Sequence, residues 1–425
     1  MAYRVPGFRA AGIRCGIKRS GALDLALIVS DRPAVAAGVF TRNRVPGAPI
    51  TVSRAHLRGG RAQAIVVNSG ISNVAMGASG LRDARRMTEL TGVELGLRAV
   101  DVLVSSTGVI GRALPMPRIA AGIPRAVRAL SATGWSAASR AILTTDTRPK
   151  LAQARVSGAS LLGIAKGSGM TMPDMATMLA FVVTDLAVDP GFLRQALRQA
   201  VGETFNRLSI DGETSTSDSV VLLANGAAGN RPLGPRSARA KEFERVLLDL
   251  CRELTEKLAA DGEGASRVAE IVVTGTRTDA LAERAARKIA NSLLVKTALF
   301  GADPNWGRVV QTVGAAGVPF KPEDLGVRIG GVQLLQRGTP VGGASALRRA
   351  GRAMHKKRVE IAVSLGRGRG SARVTSCDLS YEYVRIKNNW GRGWGRKGFA
   401  YLDFADLERL IQEQGEVCIA SEIGD

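Results

Sequence analysis

Histidine is nearly absent from this chain of 425 residues: only His56 and His355 are present. With that supply no His-x-x-x-His or other histidine metal cluster can form, which excludes zinc hydrolases and deaminases. A Ser-His-Asp triad is poorly provided for, because neither histidine stands beside an exposed-nucleophile motif; each reads as a surface or structural residue. The four cysteines, Cys15, Cys251, Cys377 and Cys418, are far apart and make no C-x-x-C pair, so neither a zinc ribbon nor a disulfide framework is expected, and a reducing compartment fits best. Long apolar runs are missing too. The longest, from Met175 to Val188, is too short to span a bilayer and contains Asp185. Met1 to Ser20 lacks the apolar stretch of a secretory signal, so the expected location is the cytoplasm.

Aromatic residues make up only 4% of the chain, whereas glycine supplies 50 residues, well above the usual share of about 7%. The core must therefore be aliphatic, with many tight backbone approaches. Acidic residues are the minority charge: 59 Lys and Arg against 37 Asp and Glu give a net charge of +22. Such a field attracts acidic metabolites or polymers without naming one. No recognition helix, RNA-binding signature or finger spacing accompanies it, so nucleic acid is not an expected partner.

Strand-sized aliphatic runs recur at Leu25 to Val29, Ala64 to Val67, Val102 to Val104, Met178 to Val183, Val220 to Leu223 and Val268 to Val272. Helical spacing separates them. Phe243, Val246, Leu247, Leu250, Leu254 and Leu258 mark a helix over about 240–260, and a second is expected from Thr278 to Leu294 with Asp279 near its start. Alternation of this kind makes the fold class α/β. Past Gly314 the texture shifts to Gly-rich turns between alternating segments such as Val359, Ile361 and Val363, which suggests a smaller second domain. The expected division is 1–312, 313–387 and an atypical Gly/Arg/Trp-rich tail at 388–425, with a short amphipathic helix over Phe399 to Ile411.

The candidate chemistry lies in Lys166-Gly-Ser-Gly-Met170 and the run Met175-Ala-Thr-Met-Leu179 that follows it. A buried strand tolerating one threonine is the plain reading. The chemical alternative is cleavage between Ala176 and Thr177, by attack of the Thr177 hydroxyl on the preceding carbonyl and hydrolysis of the resulting ester. That gives Thr177 a free α-amine with a reference pKa near ~8, able to act as base toward its own hydroxyl without any histidine. An oxyanion site is then required. Thr107-Gly108, at the end of the strand Val102 to Val104, offers a hydroxyl and a backbone N–H, though Thr-Gly at a strand end is also an ordinary turn.

Together with Gly7-Phe-Arg-Ala-Ala-Gly12, Asn68-Ser-Gly70, Asp211-Gly-Glu-Thr-Ser-Thr216, Asp261-Gly-Glu-Gly-Ala265 and the long motif Leu294 to Arg308, these segments resemble the glutamate N-acetyltransferase / ornithine acetyltransferase family of arginine biosynthesis. The resemblance covers about Gly7 to Ile386. It implies a layered αββα-type sandwich with a smaller C-terminal α/β domain, and a precursor that cuts itself into an α chain of residues 1–176 and a β chain from Thr177. It further implies a heterotetramer of two α and two β chains. Thr177 resembles the family's nucleophile, which takes acetyl from N-acetylornithine and passes it to glutamate. Thr107 and Gly108 resemble the oxyanion donors, and Thr145, Lys166 and Glu263 the substrate contacts. No cofactor is implied; acetyl-CoA enters only as an alternative acetyl donor.

The end of the chain departs from the family pattern. Where the family has Tyr-Val-x-Ile-Asn, Tyr383-Val-Arg-Ile386 is followed by Lys387, and Asn388 takes the asparagine's place only with a one-residue shift. The Thr or Ser expected five residues later is Gly393. Ile71-Ser-Asn73 stands where Asn-Ala-Asn is more usual. Two further readings stay open at this level: a processed paralogue of weak activity with a basic binding surface, and an N-terminal-nucleophile amidase or aminopeptidase in which water is the acceptor.

Overall fold

A computed structural model describes residues 3–172 and 178–384. Ala176, Thr177 and Asn388 lie outside the described residues, as does the helix expected over Phe399 to Ile411.

The described chain is mixed α/β, with two sheets flanked by helices. The first sheet takes β1 (Phe8–Ile13), β2 (Leu25–Phe40), β3 (Arg61–Ile71), β4 (Val102–Val109), β5 (Lys150–Val156), β6 (Ala159–Lys166) and β7 (Leu179–Thr184). The second sheet starts with the short β8 (Leu208–Ser209), after which β9 (Ser219–Ala224) returns to the first. The rest of the second is β10 (Val268–Gly275), β11 (Gly326–Ile329), β12 (Val332–Gln336), β13 (Thr339–Pro340), β14 (Arg358–Ser364) and β15 (Gly368–Cys377). Strand order is β4-β3-β2-β9-β7-β6-β5 with β1 beside β2, and β13-β12-β11-β14-β10-β15-β8. Strands of the second sheet thus come from both sides of residue 313.

Both faces of the first sheet are buried, which is why β2, β3, β4, β7 and β9 carry unbroken apolar runs rather than alternating ones. Successive residues point to opposite sides. Ala180 and Val182 pack into one cluster with Phe192, Leu247 and Leu254, whereas Leu179, Phe181 and Val183 join Trp135 and Ile142 in another. Helices α1 (Ala48–His56), α2 (Gly77–Leu95), α3 (Met116–Arg128), α4 (Trp135–Ala141), α5 (Pro190–Glu203) and α6 (Ala240–Ala260) cover this sheet. The second sheet packs against α7 (Asp279–Ala290), α8 (Leu293–Phe300), α9 (Trp306–Gly314) and α10 (Gly343–Met354). A single turn, α11 (Tyr381–Val384), closes the described chain.

Two elements differ from expectation. The helix expected from Thr278 to Leu294 ends at Ala290, and a new one begins at Leu293. Thr278 caps the first by accepting from Leu281 N–H, and Ser292 caps the second by accepting from Val295 N–H. A side chain that satisfies a helix start does so with extended backbone, so Ser292 separates the two. The strand expected at Leu25 to Val29 continues to Phe40. Ser30-Asp31-Arg32-Pro33 has the composition of a turn, and here it marks a register shift in pairing with β3 between Val29 and Ala34; beyond it β2 also pairs with β9.

Candidate active site

The end of β4 is fixed by its parallel neighbour β3, with Ser69 opposite Thr107 and Gly70 opposite Gly108. Gly108 has φ +129°, and a Cβ there would stand 2.3 Å from the Gly70 carbonyl carbon. Only glycine fits so close a backbone approach. Behind it the Ser106 hydroxyl donates to Asn68 Oδ1 (2.5 Å) and Asn68 Nδ2 donates to the Ile71 carbonyl (2.8 Å), tying the two strand ends together.

Lys166 ends β6, in register with Leu179 of β7. Its ammonium is buried and donates to Thr107 Oγ1 (3.1 Å) and Thr144 Oγ1 (2.8 Å). With Thr107 oxygen accepting that bond, the hydroxyl hydrogen of Thr107 is left for a further acceptor. Thr145 lies one residue along and bonds instead to the Ser168 hydroxyl (2.7 Å). Both threonines line the cavity, and it is Thr144 that meets Lys166. Glu263 is held by its N–H to the Ser168 carbonyl (2.7 Å), and its carboxylate lies against Gly169, where any Cβ would be 2.7 Å away.

These groups line one cavity of about 1140 Å³. Cations reach it from the loop after β1 (Lys18, Arg19), from beyond β4 (Arg112) and from Lys166; acids come from Asp211, Glu213 and Glu263, with Tyr383 beside them. No histidine lines it. His56 Nδ1 bonds to the Val102 carbonyl (2.8 Å) and His355 is exposed at the end of α10, so both are structural or surface residues as expected. Among the described residues no cluster of His, Cys, Asp or Glu could hold a metal ion, and no helix is long and apolar enough to cross a membrane.

The residues flanking 173–177 are anchored by neighbouring chain, those upstream at this cavity. Upstream, Met170 has φ +54°, a sparsely populated conformation for a residue with a side chain. The Asp211 carboxylate holds it there, accepting from Met170 N–H and from Thr171 N–H (2.7 Å). Downstream, the Met178 carbonyl accepts from Ser219 N–H (3.0 Å) as β7 joins β9.

Burial and neighbouring charges shift the titratable groups around the cavity. Burial pushes the Lys166 pKa down, against the attraction of Asp146. It also lowers Lys18, to about 8, with Asp24 opposing. Burial alone would raise Asp146, but the ammonium groups of Lys166 and Lys150 and the Gly167 N–H hold its carboxyl down at about 2. Asp218 goes the other way: buried beside Met178, it is raised well above the carboxylate range, and Oδ2 has no hydrogen-bond partner among the described residues. Tyr383 rises to about 12 through burial and the facing carboxylates of Asp211, Glu263 and Glu213. Sequence reasoning assigns no role to Thr144, Asp146, Lys150 or Asp218, and none beyond orientation to Asp211. A hydroxyl or acid in a polar loop has no periodicity to betray it, although Thr144-Thr-Asp146 and Asp211-Gly-Glu213 are visible as motifs.

The ArgJ family profile matches residues 9–391, which takes in every residue named above as lining the cavity. The chain belongs to the ArgJ family. The arginine biosynthesis bifunctional protein ArgJ of Geobacter sulfurreducens is 45% identical over 391 residues, covering 91% of this chain and 99% of the relative. That of Thermus thermophilus is 46% identical over 393 residues, covering 91% and 98%. Among solved structures, the bifunctional ArgJ of Bacillus halodurans aligns with 40% identity over 49% of this chain and 98% of its own, at a TM-score of 0.48. The ornithine acetyltransferase of Mycobacterium tuberculosis complexed with ornithine aligns with 39% identity over 40% and 93%, at 0.37. The ArgJ match ends at Gly391, within the Gly/Arg/Trp-rich segment.

Proposed function

We propose that the chain is an autoprocessed N-terminal-threonine acyltransferase of arginine biosynthesis that moves acetyl from N-acetylornithine to glutamate. The observation that carries this reading is one cavity in which Thr107, Gly108, Thr144 and Lys166 meet beside the start of β7 with no histidine among its lining. Acyl transfer needs a base, and an N-terminal threonine supplies one in its own α-amine.

In this reading the Ala176–Thr177 bond is cut, leaving chains 1–176 and 177–425. The Thr177 amine takes the proton of its hydroxyl as the oxygen attacks the acetyl carbonyl of N-acetylornithine. Negative charge on the former carbonyl oxygen is met by the Thr107 hydroxyl and the Gly108 N–H, with Lys166 polarising Thr107 from behind. The carbon–nitrogen bond then breaks, ornithine leaves with the proton, and an acetyl ester remains on Thr177. The amine of glutamate attacks that ester, a proton returns to Thr177, and N-acetylglutamate departs.

The charges of the cavity suit the ligands. Lys166 and Lys18 are matched to carboxylates, and Glu263 to the ammonium of ornithine. Thr145 and Asn388 complete the proposed substrate contacts. The relatives' name, bifunctional, supports a second use of the same ester, in which acetyl-CoA replaces N-acetylornithine as donor. Chains 1–176 and 177–425 remain associated, two of each in a heterotetramer, in the cytoplasm. The domain division at 312 and 387 is part of the same reading.

Recombinant protein should run as two fragments whose masses match 1–176 and 177–425, and Thr177→Ala should stay intact and inactive. Wild type that is intact and fully active overturns the proposal. Release of acetate without dependence on glutamate would instead indicate an amidase. Truncation after Asn388 tests the tail, and unchanged transfer would make it a bystander.

A further inference from the structure

Beneath the cavity lies a row of four buried, alternating charges, of which the acyl-transfer reading uses only Lys166. Lys166 Nζ is 4.0 Å from Asp146 Oδ2. Asp146 Oδ1 is 2.6 Å from Lys150 Nζ, which in turn is 2.6 Å from Asp261 Oδ2. The side chains of Asp146, Lys150 and Asp261 are 0%, 1% and 2% exposed, so solvent screens none of these contacts. The two carboxylates are fixed by backbone: Gly167 N–H donates to Asp146 Oδ1 (2.7 Å), Thr144 N–H to Asp146 Oδ2 (3.1 Å) and Thr147 N–H to Asp261 Oδ2 (3.1 Å). Hence the segment carrying Thr144 and Thr145 is laid out around these two carboxylates.

The distances are unequal. Lys150 holds the short contact to Asp146, and Lys166 has only what remains of that carboxylate's attraction, at 4.0 Å. We propose that Lys150, acting through Asp146 and anchored by Asp261, is a positioning residue that governs the charge and aim of Lys166 in the cavity. This inference rests on the acyltransferase reading, in which Lys166 must be cationic to hold a carboxylate.

The other charged groups facing Lys166 are Glu263 from the turn after α6, Asp218 from the approach to β9 and Lys18 from the loop after β1. Asp146 and Lys150 act with opposite sign: the acid favours the charged form of Lys166, and the second ammonium disfavours it. Two variants should therefore move the enzyme in opposite directions.

The experiment is the pH profile of acetyl transfer from N-acetylornithine to glutamate, with kcat and KM for glutamate resolved, in the processed full-length protein. Lys150→Met with Asp261→Asn removes one buried charge of each sign and leaves Asp146 wholly to Lys166. The alkaline rise in KM should then move up, by on the order of one pH unit. Asp146→Asn should move it down by a similar amount, and Lys150→Arg should restore the wild-type profile. Asp146→Asn is a single isosteric change and decides the question by itself if the double variant does not fold. Profiles that superimpose on wild type for the folded, processed variants overturn the inference while leaving the acyltransferase reading intact. A wild type that transfers no acetyl overturns the reading itself.

Discussion

Asp218 and Asp146 are both buried acids near Lys166, yet their environments drive them apart. Asp146 has two ammonium groups and two backbone N–H donors, so it remains a carboxylate; at Asp218 burial outweighs the hydrogen bonds from Met178 N–H and the Thr41 side chain and the attraction of Lys166, and its pKa is raised. The two contribute to stability with opposite pH dependence. Asp146, lowered to about 2, contributes stability that is present above its unfolded pKa near ~4 and is lost as pH falls toward about 2. Asp218, raised in the fold, contributes stability that is present below ~4 and is lost as pH rises through its folded value. Asp218→Asn should therefore gain in Tm relative to wild type as pH is raised from ~4. A Tm difference that stays constant or shrinks across that range would refute the assignment. Of the site residues, Thr107, Gly108, Lys166 and Glu263 are legible as motifs, and they line one cavity. Thr145 does too, but its neighbour Thr144 makes the contact with Lys166, because adjacent residues in a loop present different faces and sequence does not say which turns inward.

At the level of elements, the approach of β4 to β3 is the tightest constraint on the site. Gly70 and Gly108 are opposite one another, and a methyl group at 108 would overlap the Gly70 backbone. Gly108→Ala should separate the two strand ends, costing about 1–3 kcal/mol in stability. Displacing the Thr107 hydroxyl and the 108 N–H should also lower kcat by roughly 10²-fold. Chemical unfolding and steady-state rates measure both; an unchanged kcat in the folded variant would remove Gly108 from the proposed oxyanion site. In the first sheet β2, β3, β4, β7 and β9 are readable because each carries a buried, mainly aliphatic run, whereas β1, β5 and β6, whose apolar residues are interrupted by Arg9, Gln153, Arg155, Ser160 and Gly163, are not among the expected strands. The 16-residue β2 reads short in the sequence, since Pro33 and its polar neighbours look like a turn when a long strand bends between two partners. The break between α7 and α8 is hidden for a related reason: the apolar spacing continues through Asn291-Ser292, and only the cap geometry divides it.

For the whole molecule, the resemblance read from the motifs and the family match agree over nearly the full chain. The net charge of +22 is explained only in part by the cavity, whose cations Lys18, Arg19, Arg112 and Lys166 are a small share of the 59 basic residues. Composition thus signals an affinity for anions without locating it. The location comes from topology, which brings the ends of β4 and β6 and the turn after α6 to one place from positions spread between Thr107 and Glu263. In the proposed reading, Thr177 supplies the base that a chain almost without histidine otherwise lacks. The decisive measurement is the mass of the processed protein incubated with N-acetylornithine and no glutamate. The account predicts that the 177–425 chain becomes heavier by one acetyl group, mapped to its first residue, and loses it when glutamate is added. Acetyl transfer proceeding at full rate with that chain never acetylated would contradict it.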